Sequence, residues 1–218
     1  MPRREALERL DRASLYLVLE AAAASVVVPA LEGGVDVVQL RDKNAPDGEI
    51  VAAGRELAAL CRARGALFVV NDRPDLALDC GADGVHVGQD DLAVAEVRSR
   101  AADLIVGVST HSPEQVDAAG ASEADYFAVG PVHETPTKPG RPAVGYELVR
   151  YAAEHATKPW FAIGGIDPGN AAAVAEAGAS RLAVVRAIRD AADPREAARA
   201  LREALDAGAG RREGARVG

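Results

Sequence analysis

Eight short runs of β-branched and other apolar residues recur along the chain, and alanine-rich stretches separate them. They span 15–19 (LYLVL), 35–40 (VDVVQL), 67–70 (LFVV), 84–87 (GVHV), 104–108 (LIVGV), 126–129 (YFAV), 160–163 (WFAI) and 182–185 (LAVV). Short continuous apolar runs are what parallel strands covered on both faces look like in sequence. The stretches between them place apolar residues three and four apart. The clearest covers 49–64, with Ile50, Leu57, Leu60 and Cys61 on one side. Strand–helix alternation repeated this often predicts an α/β fold in one domain, a closed (β/α)8 barrel of TIM type. A doubly wound open sheet is the alternative, and it usually has fewer strands.

Local signals support the helices. Asp47 stands where an N-cap is expected. Ser112 precedes Pro113, with Gln115 three residues after the serine as in a capping box, and Asp167-Pro168 repeats the cap-then-proline order. The charged residues 1–13 predict a helical lead-in and residues 14–207 the barrel. Residues 208–218, rich in Gly and Arg with little to bury, predict a flexible tail.

Composition narrows the function. A chain of 218 residues suits a barrel near the short end of its range, and 49% hydrophobic residues with only 4% aromatics imply a core of small and β-branched side chains. With 25 Lys and Arg against 33 Asp and Glu, the net charge is −8, so general nucleic-acid binding is excluded while a local basic pocket is allowed. No apolar run approaches the ~20 residues of a membrane span. The N-terminus has no apolar signal core, and the two cysteines, Cys61 and Cys80, read as buried free thiols, which together predict a cytoplasmic protein. A homodimer is compatible with all of this.

Active sites of such barrels form at the C-terminal ends of the strands. The polar clusters of this sequence follow the strands accordingly. Strand alternation puts Gln39, Arg41 and Lys43 on one side, a trio suited to an anion with many oxygens. The plainer reading of Arg41 and Lys43 is a solvated strand end paired with Asp36 or Asp42. Asp72 and Asp91 follow neighbouring strands. Two converging carboxylates repel unless a cation separates them, and Mg2+ prefers one or two carboxylates plus phosphate oxygens, so the pair suggests a metal–diphosphate site. Helix capping is the competing explanation for both. Gly164-Gly165, after the seventh run, suits either a phosphate bound by backbone N–H groups or a tight turn. The loop 135–142, rich in Pro and Thr and carrying Lys138, reads as a lid.

QLRDK at 39–43, ND at 71–72, HVGQDD at 86–91, GVSTH at 107–111, GPVHETPTK at 130–138, IGGI at 163–166 and VVRAI at 184–188 occur in this order. Together they resemble the thiamine-phosphate synthase family, over residues 15–205. The resemblance implies that Gln39, Arg41, Lys43, Asn71, Ser109 and Lys138, with Leu40 and Asp42 in the same run, bind an aminopyrimidine diphosphate. Arg41, Lys43, Ser109 and Lys138 would act in catalysis, and Asp72 and Asp91 would hold Mg2+. It further implies that Thr135, Pro136, Thr137, Gly165, Val185 and Arg186 bind a thiazole phosphate. The family's reaction breaks the C–O bond to diphosphate early, and the thiazole nitrogen captures the pyrimidine carbocation.

Leu19-Glu20 departs from the family pattern, where Thr-Asp is common. The family also varies in the loop before Thr135, where Val132, His133 and Glu134 stand here, and no role is assigned to His133. The competing readings are a thiazole tautomerase on the same barrel, a non-catalytic sensor of a phosphate ligand, and a sugar-phosphate isomerase. The tautomerase branch usually lacks the two carboxylates and has histidine where this chain has Pro131.

Overall fold

The computed structural model describes residues 1–135 and 142–217, with side chains through Arg212. Eight parallel strands close into a barrel in chain order: β1 (Leu15–Leu19), β2 (Val37–Leu40), β3 (Leu67–Asn71), β4 (Gly84–Val87), β5 (Ile105–Thr110), β6 (Tyr126–Val129), β7 (Trp160–Ile163) and β8 (Leu182–Val184), with β8 paired to β1. Every expected strand is present, and the open-sheet alternative falls away. The differences lie at strand ends. β3 and β5 run on through Asn71 and through Ser109 and Thr110, because the hydrogen-bond ladder continues past the last apolar residue. Polar side chains are thereby carried on rigid backbone at the barrel mouth.

Strand alternation divides the core in two. Leu15, Leu17, Val38, Leu40, Phe68, Val70, Val85, Val106, Phe127 and Val184 face outward into the layer beneath the helices. Tyr16, Val18, Val37, Leu67, Val69, Ile105, Tyr126, Phe161 and Ala183 face inward and fill the barrel. Helix α1 (Arg3–Arg12) closes the N-terminal end by adding Ala6 and Leu10 to this inner cluster.

Three aspartates pin that closed end. Asp36, Asp83 and Asp125 each stand one residue before β2, β4 or β6. Their Oδ2 atoms accept the N–H groups of Leu15, Phe68 and Val106 on the preceding strand, at 3.0, 3.0 and 2.8 Å. Each also has a cationic partner: Arg202 for Asp36, the N-terminal ammonium for Asp83, and Arg98 and Arg3 for Asp125.

The outer layer contains α2 (Val27–Glu32), preceded by a 3-10 turn over Ala21–Val26, then α3 (Asp47–Ala63), α4 (Pro74–Cys80), α5 (Val94–Arg100), α6 (Pro113–Ala121), α7 (Gly145–His155), α8 (Ala171–Glu176), α9 (Arg186–Arg189) and α10 (Pro194–Val217). Ser112 caps α6 by accepting the N–H of Gln115. The Gln115 side chain accepts from His111 rather than from Ser112, so the box is displaced by one residue. Asp47 is the first residue of α3, not its cap, and its carboxylate binds Arg73. Asp167 accepts the N–H groups of Gly169 and Asn170, forming a turn before α8 begins at Ala171.

Residues 208–217, expected as a tail, continue a helix. α10 continues to Val217, and at Gly208 it lies close against α8. A Cβ at Gly208 would collide with Ala172 and Ala175 of α8, and Arg212 donates to the carbonyl of Gly178. Cys61 and Cys80 are free and buried, and burial pushes the Cys61 thiol up to about 12. Among the described residues, no helix is long and apolar enough to cross a membrane.

Candidate active site

The mouth of the barrel has two unlike halves. Over β2 to β5 lies a polar cavity of about 260 Å3 whose lining includes Arg41, Lys43, Asn71, Asp72, Asp91 and Ser109. Arg41 continues the inward parity of β2. Its side chain has no hydrogen-bonding partner among the described residues. Asp36 is occupied at the far end of the barrel, and Asp42 accepts the N–H groups of Ala21, Asn44 and Ala45. The ion pairs that would have made Arg41 a plain solvated strand end are therefore not formed. Lys43 Nζ lies 3.5 Å from Asp72 Oδ2.

Neither aspartate caps a helix. The residues preceding α4 and α5 are Arg73 and Ala93, without side-chain caps. Asp72 adopts a left-handed backbone (φ 61°), uncommon outside glycine, and its N–H donates to the carbonyl of His86 at 2.8 Å. This turn aims its carboxylate at Asp91, which in turn accepts the N–H of Gly88 at 2.8 Å. The Asp72 carboxyl is pushed up, first by burial, then by its hydrogen bond to Asp91 and by the Asp91 charge, with Lys43 opposing. The two carboxylates thus converge at an energetic cost to the ionised form of Asp72. Among the described residues, no group of three or more His, Cys, Asp or Glu is placed to hold a metal. A divalent ion here would take its remaining ligands from water and substrate.

Over β5 to β8 lies a cavity of about 380 Å3 with largely apolar walls, including Ala128, Pro131, Ile163, Val184 and Val185, and with Thr135, Gly165 and Arg186 at its edge. Gly164 and Gly165 both have positive φ, 108° and 63°. The chain after β6 runs against them, with Val132 donating to Ile163 O and His133 to Gly164 O. A Cβ on Gly165 would stand 2.6 Å from His133 Cβ and 3.0 Å from Glu134 O. The tight turn and the exposed backbone are therefore one feature: the loop requires glycine, and glycine leaves only backbone facing the cavity. A side chain at Gly165 would press on His133 and Glu134 rather than fill the pocket. Across the cavity, the first N–H groups of α9, on Arg186 and Ala187, have no carbonyl one turn behind them. Glu20, the departure at the end of β1, binds Arg189 through both oxygens at 2.9 and 2.8 Å and ties that strand end to α9.

A third space of about 60 Å3 lies beneath both, floored by Tyr16, Gln39, His86, Tyr126 and Phe161. Ser109 lines all three cavities. A group bound in one half would meet a group bound in the other at this residue.

A model of the thiamine monophosphate synthase family matches residues 15–188. The chain belongs to this family. It is 58% identical over 177 residues to the thiamine-phosphate synthase of Thermus thermophilus, covering 81% of this chain and 85% of that one. It is 51% identical over 217 residues to that of Mycobacterium tuberculosis, covering 91% and 97%. The solved thiamine phosphate pyrophosphorylase of Pyrococcus furiosus superposes with a TM-score of 0.84 at 35% identity, covering 91% of this chain and 98% of that one. The protein is thus a transferase of thiamine biosynthesis with thiamine-phosphate synthase activity.

Against the roles that family membership suggests, the structure gathers Arg41, Lys43, Asn71, Asp72, Asp91 and Ser109 about one cavity, with Gln39 at the floor below. Thr135, Gly165, Val185 and Arg186 line the other. Leu40 and Asp42 line neither of these two cavities but an adjoining one with Lys43, Asn71 and Asp72. The Leu40 side chain joins the outer core and the Asp42 carboxylate accepts three backbone N–H groups. Pro136, Thr137 and Lys138 lie outside the described residues.

Sequence reasoning did not single out Tyr16, His86 and Tyr126. Their signal was a polar atom at an inward position of an otherwise apolar strand, which becomes legible only once the inward face is known. His133 also finds a place: its ring meets the Tyr146 ring edge-on at 5.4 Å.

Proposed function

We propose that the aminopyrimidine diphosphate occupies the cavity over β2 to β5, that the thiazole phosphate occupies the one over β5 to β8, and that the new C–N bond forms above Ser109. The observation supporting this is that Ser109 is shared by both cavities and by the floor between them. In this reading the C–O bond between the pyrimidine methylene and the diphosphate breaks, and the bonding pair leaves with the diphosphate. The thiazole nitrogen then donates its lone pair to the resulting carbocation. Arg41 and Lys43 stabilise the charge that develops on the departing oxygens, and Ser109 offers a hydrogen bond at the junction.

Asp72 and Asp91 would hold Mg2+, which fits the raised Asp72 carboxyl and the neighbouring diphosphate cavity. When bound, that ion would supply further neutralisation of the leaving group. The apolar wall of Ile163, Val184 and Val185 keeps water from the cation, which would otherwise be lost to hydrolysis. The two buried free thiols suit a reducing cytoplasm.

Steady-state kinetics tests the division of the mouth, with thiamine phosphate and diphosphate both measured. Arg41→Ala should raise KM for the pyrimidine diphosphate or lower kcat, with KM for the thiazole phosphate kept. Arg186→Ala should raise KM for the thiazole phosphate alone. If each variant impairs both substrates equally, the proposed partition is wrong.

A further inference from the structure

One hydrogen-bonded chain runs across the barrel floor, and the mechanism above does not use its middle members. Gln39 Nε2 donates to the Tyr16 hydroxyl at 2.8 Å. The Tyr16 and Tyr126 hydroxyls lie 3.0 Å apart. Tyr126 is 3.2 Å from His86 Nδ1, and His86 Nε2 is 3.0 Å from Ser109 Oγ. All five side chains are under one-tenth exposed. Space for the chain is built into the backbone: a Cβ at the inward-facing Gly107 would collide with the Tyr126 ring and the His86 imidazole.

We propose that Tyr16, Tyr126 and His86 are positioning residues, which couple the orientation of the Gln39 amide to the hydrogen-bonding state of Ser109. Each tyrosine has one proton and a neutral imidazole has one N–H. Once Gln39 donates to Tyr16, every other proton is directed. Tyr16 donates to Tyr126, Tyr126 to His86 Nδ1, and His86 Nε2–H to Ser109. The serine hydrogen is then left for the cavity, where a diphosphate offers only acceptors. At the other end Gln39 keeps its Oε1 for a donor, such as an exocyclic amino group. Reversing the amide reverses the whole chain: Ser109 donates inward, and its free face offers only lone pairs. The chain therefore favours a ligand with an N–H donor at the Gln39 end and a phosphate oxygen at the Ser109 end. It also disfavours one whose amino group is replaced by an oxo group. Burial makes this coupling strong, because a polar atom left unpaired in the floor is costly.

The inference rests on the assignment of the pyrimidine diphosphate to this half of the mouth, and the Arg41→Ala and Arg186→Ala kinetics check that assignment separately. The test uses Tyr126→Phe and, in parallel, Tyr16→Phe. Each keeps the ring and removes the relay. In either variant kcat should fall by roughly ten- to a hundred-fold, the scale on which a misplaced catalytic group acts, while KM for the thiazole phosphate stays unchanged. Selectivity for the aminopyrimidine diphosphate over its 4-oxo analogue should fall with it. Nitrogen-15 NMR of the wild-type enzyme with the pyrimidine diphosphate bound, with His86 assigned by its loss in His86→Asn, should show a neutral imidazole with its proton on Nε2. Finding the proton on Nδ1 would overturn the proposal even if neither variant folds. Folded variants that retain wild-type kcat and selectivity would overturn it as well. Equal impairment of both substrates by Arg41→Ala would instead remove the substrate assignment beneath it.

Discussion

Aspartates stand at both ends of this barrel, and the two sets are treated in opposite ways. At the closed end, Asp36, Asp83 and Asp125 each accept a backbone N–H and face a cation, so their charge is fully used within the fold. At the open end, Asp72 and Asp91 face one another, with Lys43 as the nearby counter-charge, and Asp72 ionises less readily than usual. The first set ties strand to strand. The second sets two carboxylates against one another at the barrel mouth. The lesson is that residue type says little about purpose, whereas the state of satisfaction of a buried charge says much.

Removing an aspartate from the closed end should have the largest effect, and on stability. Asp125→Ala leaves Arg98 and the Val106 N–H without their shared acceptor. Loss of one partner from a largely buried pair costs about 3–5 kcal/mol, read as a shift of the denaturant midpoint at constant slope. Turnover per folded molecule should be unchanged. A variant of normal stability would erase the contrast between the two ends.

At the open end the same chemical change should act on catalysis. Asp91→Asn should lower kcat by about a hundredfold, the order associated with losing one transition-state electrostatic contact, and should raise the Mg2+ concentration needed for half-maximal rate. Unfolding should move little. Full activity of this variant, or of the wild type in excess chelator, would separate the carboxylates from the reaction.

The smallest effect on stability sharpens the comparison most. Asp72→Asn removes a carboxylate whose ionisation the fold resists. A carboxyl raised in the native state binds its proton more tightly than in the unfolded chain, so it favours folding at low pH and loses that contribution as pH rises through the native value. The amide keeps the left-handed backbone, which Asn tolerates. Metal-free Asp72→Asn should therefore melt slightly higher than the wild type, with the difference growing from acid toward neutral pH, while activity is lost. A variant that melts lower at neutral pH would mean that Lys43 outweighs Asp91 there.

Much of this was legible in the chain itself. The eight apolar runs and the helices between them followed from periodicity. The placing of Arg41, Lys43, Asn71, Asp72, Asp91 and Ser109 at one rim followed from their position after strands. What failed was local. Asp47 and Asp167 looked like caps because short-range pattern cannot tell a cap from a nearby turn or a long-range ion pair, here with Arg73. The helix through Gly208 was not legible, because the α8 surface that Gly208 lies against is remote in sequence.

Sequence alone determined the architecture, since strand and helix periods are local and right-handed strand–helix–strand units repeated eight times have few other ways to close. Tertiary structure alone decided which polar atoms meet. The Asp72 carboxylate faces Asp91 because of a left-handed turn, and Gly165 is a glycine because His133 and Glu134 lie against it. Tyr16 and Tyr126, 110 residues apart, share a hydrogen bond because barrel closure brings inward positions of distant strands to one axis. Such contacts depend on closure of the whole barrel, which no stretch of the chain encodes by itself.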